Sequence, residues 1–261
     1  MKQQKNYKKN EKQSHSYSKS KEDILLYGRH PVTLALENPK RKIKELFLVK
    51  TAVENFKIPN NIPVHWRSKD ELDSLVGKDA VHQGFVARCS PLQNNTIEDL
   101  INETIHQKQA LVVILDQVTD PHNIGAILRS SAAFNASAVI VPESGTPMET
   151  GVLAKSASGA LELVPYVRVS NLSRAMELLK KNGFWCIGLD GYASHTIYET
   201  KLPSKCVVVM GSEGSGLRRL TAQNCDDTVK LPMNPSVESL NVSNACAITL
   251  YEWNRQYVVK A

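Results

Sequence analysis

The segment VVVMGSEGSGLRRL, residues 207–220, joins an apolar run to a glycine-rich turn and then to a stretch of helical composition. Strand, glycine loop and helix is the outline of a phosphate-binding loop, in which backbone N–H groups at a helix start hold an anion. The residues do not complete that chemistry. Gly211 and Gly216 have the P-loop spacing, but Leu217 and Arg218 follow where Lys and Ser or Thr would serve phosphate and magnesium. The glycines read Gly-x-x-Gly-x-Gly, which is not the Gly-x-Gly-x-x-Gly of dinucleotide sites. An anion against these amides would also face Glu213, a like-charge contact in a partly enclosed site. A glycine turn explains the glycines but not the carboxylate held between them. The loop suits a neutral or cationic ligand, or an Arg partner for Glu213.

Outward from this loop the chain alternates. Strand candidates are residues 111–118, 138–141, 163–169, 184–190, 206–210 and 228–233, with helical stretches between them and a last helix through VSNACAITLYEWNRQ, residues 242–256. Near-continuous apolar strands separated by helices predict an α/β domain over 110–261, a parallel sheet with helices on both faces. Ligands in such sheets sit at the carboxyl ends of strands. The loops to search therefore follow Val118, Met210 and Met233.

The loop after Val118 reads TDPHNIGAILRSSAAF. Asp120-Pro121 closes the strand and Asn123 is placed as a helix N-cap. Arg129 follows six residues later, about 9 Å along a helix and on a different face. The loop after Met233 carries Ser236, Ser239, Asn241 and Ser243 ahead of an apolar helix. Val242, Ala245, Cys246, Thr249, Leu250 and Trp253 recur there at helical spacing, as a core stripe or a surface for a second subunit.

Toward the N-terminus, residues 24–91 read as a small α/β unit with strands at 44–50, 62–66 and 82–90. Residues 92–109 are polar and read as a linker. Residues 1–23 carry a net charge of +4, leaving +2 for the remainder. Such a tail, polar and Lys-rich, is expected to be disordered, and reads equally as a flexible arm for a polyanion or as a solubilising tail. No apolar run approaches the ~20 residues that span a bilayer, and the N-terminus lacks a secretory apolar stretch, so a cytoplasmic protein is expected. Cys89, Cys186, Cys206, Cys225 and Cys246 form no C-x-x-C pair, and neither a disulfide framework nor a metal site is expected.

Taken together, Asn123-Ile-Gly-Ala-Ile-Leu-Arg129, Met210-Gly-Ser-Glu-Gly-Ser-Gly-Leu217, and Leu231-Pro-Met running on to Ser239-Leu-Asn-Val-Ser243 resemble the three motifs of the SpoU (TrmH) family of S-adenosylmethionine-dependent RNA ribose 2′-O-methyltransferases, within the SPOUT superfamily. The resemblance covers about 110–258, and Tyr27-Gly-Arg-His to His82-Gln-Gly resembles the family's substrate-binding domain. It implies a trefoil-knotted sheet, one of the rare exceptions to unknotted topology. It implies S-adenosylmethionine held at Gly211, Leu231 and Leu240, and a catalytic set of Asn123, Arg129, Glu213, Ser239 and Asn241. A homodimer through the knot region and last helix is also implied. A guanidinium is effectively always protonated, so Arg129 is read as a clamp on substrate phosphate, not a base, with Glu213 orienting it. The two-domain layout implies a guanosine ribose of large-subunit rRNA as the target. A tRNA ribose and a non-catalytic ribosome-assembly role are the alternatives. Two positions depart from the family pattern: Pro31 interrupts the usual opening of the first helix, and Leu231 stands where Ile is commoner.

Overall fold

Residues 23–258 are described by the structure, a computed structural model; the basic tail over 1–22 lies outside them. Two sheets form. The smaller uses β1 (Ile24–Tyr27), β2 (Ile43–Leu48), β3 (Val64–Trp66) and β4 (Phe85–Cys89), with helices α1 (Arg29–Glu37) and α2 (Lys69–Val76). Its order is β1-β4-β2-β3. β4 runs antiparallel to both neighbours, and β2 runs parallel to β3. Ser68 and Glu71 close a capping box at the start of α2, where the sequence changes from strand to helix.

The stretch read as a linker holds a helix, α3 (Ile97–Thr104), capped by Thr96 and Asp99. Ile97 and Leu100 are buried in the main domain's core. Its polarity belongs to the outward face, and two apolar residues three apart suffice to seat one turn of it.

The main sheet follows: β5 (Ala110–Leu115), α4 (Pro121–Ala133), β6 (Ala138–Pro142), α5 (Gly151–Ser156), β7 (Tyr166–Val169), α6 (Leu172–Lys181), β8 (Trp185–Leu189), β9 (His195–Thr196), β10 (Lys205–Met210), α7 (Arg219–Asn224), β11 (Asp227–Lys230) and α8 (Val242–Tyr257). The strand order is β7-β6-β5-β10-β8-β11-β9, with every pairing parallel. The period-two alternation of side chains divides the apolar strands between two cores. Leu111, Val113 and Leu115 of β5, with Cys206, Val208 and Met210 of β10, face one core with α4, α5 and α8. Ala110, Val112 and Ile114, with Val207 and Val209, face the other with α3 and α6. β9 has two residues, too few to leave a periodic signal.

The two domains share a core. Leu26, Val32, Leu46 and Phe85 belong to the same buried cluster as Leu153, Ala154 and Leu161. Backbones touch where side chains are missing: a Cβ on Gly151 would lie 2.3 Å from the Leu25 carbonyl oxygen. Arg41, from the small domain, is buried against Glu162 at 2.6 Å and Glu149 at 2.5 Å. Burial lowers the guanidinium's affinity for its proton, but the two carboxylates more than offset this and raise its pKa.

Candidate active site

The glycine loop closes on itself directly after β10. Ser212 and Gly216 exchange both backbone hydrogen bonds at 3.1 Å, and the Ser212 and Ser215 hydroxyls meet at 2.6 Å. Gly214 and Gly216 take φ of 86° and 65°, the left-handed region open to glycine. A Cβ on Gly211 would lie 2.1 Å from the Gly216 carbonyl carbon and 2.4 Å from the Leu217 nitrogen. Glycine at 211 is thus required by the loop's own return, whatever it also grants a ligand.

That fold aims Glu213 at two other loops. Its Oε1 accepts from Asn241 Nδ2 at 2.6 Å, from the Val242 N–H at 3.2 Å and from Asn123 Nδ2 at 3.3 Å. Asn241 Nδ2 also donates to Asn123 Oδ1 at 2.9 Å. Asn123, ninety residues before Glu213, is thereby joined to Asn241 and Val242 at one carboxylate oxygen. Two of these donors and the acceptor come from three different strand-end loops, as expected at the carboxyl edge of a parallel sheet. Glu213 Oε2 has no hydrogen-bond partner among the described residues.

Each asparagine is fixed by its helix. The N-cap of α4 is Asp120, whose Oδ1 accepts the His122 N–H at 2.9 Å, with Pro121 at the first helical position. Asn123 was expected to be that cap. Lying inside the first turn instead, it keeps its amide free to bridge loops. Asn241 does cap its helix: Oδ1 accepts the Ser243 N–H at 2.9 Å and the Ser243 hydroxyl at 2.6 Å. One amide therefore starts α8 with its oxygen and holds Glu213 with its nitrogen.

Arg129 is exposed on α4 and has neither a hydrogen bond nor an ion pair among the described residues. Glu213, expected to orient it, makes no hydrogen bond or ion pair with it among the described residues; Asn123 and Asn241 hold its Oε1 instead. Ser239 is exposed in the loop that runs from Leu231 to Asn241, and Leu231 and Leu240 are half-buried. Gly211 and Leu231 follow strands β10 and β11, which flank β8. Leu240 adjoins Asn241 and Gly211 lies two residues before Glu213, while Leu231 packs against the main core just past β11.

The sequence reading missed one pair. Asp116, fully buried just past β5, accepts from Arg218 Nε at 2.7 Å and from the Arg218 N–H at 3.2 Å, with Nη2 at 2.6 Å. The Asp116 N–H donates to the Met210 carbonyl at 2.8 Å. The pair fastens the exit of the glycine loop to the end of the neighbouring strand. The signal available was an acid ending an otherwise apolar strand, but nothing in the sequence pointed to its distant partner. A second contact ties α4 to α5, His122 Nδ1 to Ser156 Oγ at 2.9 Å.

Residues 211–217 and 231–241 contain no Lys or Arg, and their acids are Glu213 and Glu238. The cations adjoining these loops are Arg218, already paired with Asp116, and Lys230, and the set suits a cationic ligand such as the sulfonium of S-adenosylmethionine. Among the described residues, no three metal-binding side chains come together, and no helix is long and apolar enough to cross a membrane.

Residues 110–251 match the SpoU rRNA Methylase family, and residues 25–95 match the RNA 2′-O ribose methyltransferase substrate-binding family. The chain is 40% identical over 239 residues to the 23S rRNA (guanosine-2′-O-)-methyltransferase RlmB of Vibrio cholerae, covering 89% of this chain and 96% of that one. It is 39% identical over 242 residues to the Escherichia coli K12 protein of the same name, covering 89% and 98%. In fold it is similar to the SpoU methyltransferase AviRb of Streptomyces viridochromogenes, solved in complex with the cofactor AdoMet. The TM-score is 0.76 at 24% identity, over 92% of each chain.

Proposed function

The chain belongs to the SpoU rRNA methylase family, and on that premise we propose that it methylates the ribose 2′-hydroxyl of a guanosine in 23S-type rRNA, using S-adenosylmethionine. The observation that carries the reading is the meeting of Asn123, Glu213 and Asn241 at one point. Support for rRNA over tRNA comes from the RlmB relatives, which match through both domains and nearly end to end.

When bound, the cofactor supplies an electrophilic methyl group. Backbone at Gly211 and the apolar side chains of Leu231 and Leu240 would hold it. The protein's work is alignment: the 2′-oxygen must be fixed for an in-line approach and its developing charge offset. Arg129, with no acid of its own, clamps the neighbouring phosphate and stabilises charge on the oxygen. The Asn123–Glu213–Asn241 hub keeps the three loops in register, and Ser239 reaches toward the ribose from the third. The insertion of β10 between β5 and β8, with the loops after β10 and β11 both reaching the start of α8, supports the trefoil threading that family membership implies.

A homodimer is part of the proposal. The stripe Val242, Cys246, Thr249, Leu250 and Trp253 is buried in this chain's own core, so it offers nothing to a partner. Ile248 and Tyr251 on the opposite face are 46% and 55% exposed, and they are the apolar surface α8 presents. Sedimentation of the purified protein as a monomer at micromolar concentration would remove the dimer from the reading. A cytoplasmic location follows from the proposed substrate.

Titration with S-adenosylmethionine, followed by mapping of 2′-O-methyl groups on rRNA and tRNA from cells with and without the gene, tests the function. A mark lost from one guanosine of 23S rRNA is expected. A mark lost only from tRNA overturns the substrate, and absence of cofactor binding overturns the enzyme in favour of an assembly factor.

A further inference from the structure

Between the hub and the small domain runs a seam with its own chemistry. Lys155, in α5, crosses the domain boundary: its Nζ donates to Gln83 Oε1 of the small domain at 3.1 Å. The same oxygen accepts the Arg29 N–H at 3.2 Å. Gly28 is the residue that lets the lysine through, since a Cβ there would lie 2.6 Å from Nζ, at a φ of 100°. Gln83 takes φ 55° and Gly84 φ 80°. A non-glycine residue in the left-handed region beside a glycine marks a turn held against its preference.

Exposed lysines without acid partners are ordinary. Lys155 is different, because it is partly buried and its one partner among the described residues is a neutral amide oxygen. Burial lowers its pKa with no carboxylate to offset the shift. Arg29 likewise has no acid. Its guanidinium donates to the Glu54 carbonyl at 3.2 Å and lies 5.8 Å over the Phe85 ring, with further N–H groups exposed. Arg41, Lys44, Arg67 and Arg88 of the same domain each have a carboxylate, whereas the exposed Lys40, Lys42, Lys50, Lys57, Lys69 and Lys78 form no ion pair among the described residues. Arg29 differs from those lysines in that its backbone N–H meets Gln83 beside Lys155. The seam leads straight to the hub. Ser156, next to Lys155, bonds His122, and His122 precedes Asn123.

We propose that this seam is an RNA-backbone track, in which Arg29 of the small domain and Lys155 of the catalytic domain each take a phosphodiester near the target nucleotide, while Gln83 holds the Lys155 ammonium against the backbone N–H of Arg29 at the start of α1. The inference rests on the RNA methyltransferase reading. It adds that the substrate-binding domain is coupled to the catalytic centre through the bound strand, and not through protein contacts alone.

The test is binding of deproteinised 23S rRNA by the full chain across a series of KCl concentrations, with calorimetric titration of S-adenosylmethionine alongside. K155Q and R29Q are each expected to weaken binding and to reduce the slope of log affinity against log salt by about one. Cofactor affinity should stay unchanged. Q83E supplies Lys155 with a carboxylate, so it preserves the contact while cancelling the free charge; it should weaken RNA binding without lowering the melting temperature. If K155Q and Q83E leave the salt slope at the wild-type value, Lys155 is a strut between domains and the track is overturned, whatever happens to stability. Failure of the wild type to bind S-adenosylmethionine would instead sink the enzyme reading, while its salt slope would still judge the track.

Discussion

Asn241 carries two duties that can be separated. Its oxygen caps α8 and its nitrogen holds Glu213. Asn241→Ala should lower stability by about 1 kcal/mol, the usual cost of a lost cap. Asn241→Ser restores an adequate cap but cannot reach Glu213 as an amide donor. Urea unfolding of the serine variant should therefore be near wild type while kcat stays depressed, by up to about 100-fold for loops displaced by an ångström. Arg129 is tested at the same scale. Arg129→Ala should cost about 10²–10³ in kcat if it stabilises developing charge, and Arg129→Lys should recover little, since an ammonium cannot reproduce a planar fork. Substantial turnover by the lysine variant would exclude that recognition. Glu213 was legible because a carboxylate held between glycines at a strand end needs a chemical explanation; the rest of the candidate set came from the resemblance of the three loops to the family's motifs. Their partners were less so. Asp120 and Asn123 both satisfy a cap by composition, and only geometry separates them. The Asp116–Arg218 pair joins residues whose nearness depends on β10 lying beside β5.

Helix packing is the next scale, and Gly125 shows which effect wins there. Ala is favoured over Gly in a helix interior by about 1 kcal/mol. A Cβ at 125 would, however, lie 2.3 Å from Ser156 Cβ and 2.8 Å from the Ala157 nitrogen, which is backbone and cannot turn aside. Overpacking of this kind costs about 1–3 kcal/mol. Gly125→Ala should therefore lower the urea midpoint despite its better propensity. It should also reduce kcat, because Asn123 rides on the same helix. The strands and helices of the main domain were legible for a plain reason: uninterrupted apolar runs have few alternatives to interior strands. α3 was obscured by its polar outer face. The 242–253 stripe could be read as core or as interface because burial by one's own chain and by a partner leaves the same pattern.

For the molecule as a whole, the buried contact of Arg41 with Glu149 and Glu162 governs how the halves behave. Removing the cation leaves two carboxylates with side-chain exposures of 12% and 2%. Arg41→Met should cost about 3–5 kcal/mol, as expected for a broken buried pair. The sign of its pH dependence follows. Unpaired buried carboxylates are penalised when charged, so the deficit should shrink as pH falls and they protonate. Adding Glu162→Gln to Arg41→Met should recover part of the loss at neutral pH. Chemical denaturation followed at two probes, Trp66 in the small domain and Trp185 in the large one, would show whether the halves still unfold together. None of this was legible beforehand. The sequence divides cleanly into two units, and nothing in either half announces that their cores are continuous.

The position of β10 has a consequence for synthesis. The strand fills the centre of the sheet, yet it is made long after β5 and after β8, the two neighbours it separates. Translation proceeds at about 5–20 residues per second, so for about 1–4 seconds after β8 is made the nascent chain presents two inner edges whose common partner is still missing. Direct closure of β5 on β8 would shut β10 out and leave Glu213 outside the catalytic face. An enzyme whose proposed substrate is rRNA would then depend, for its own assembly, on the pace at which a ribosome releases it.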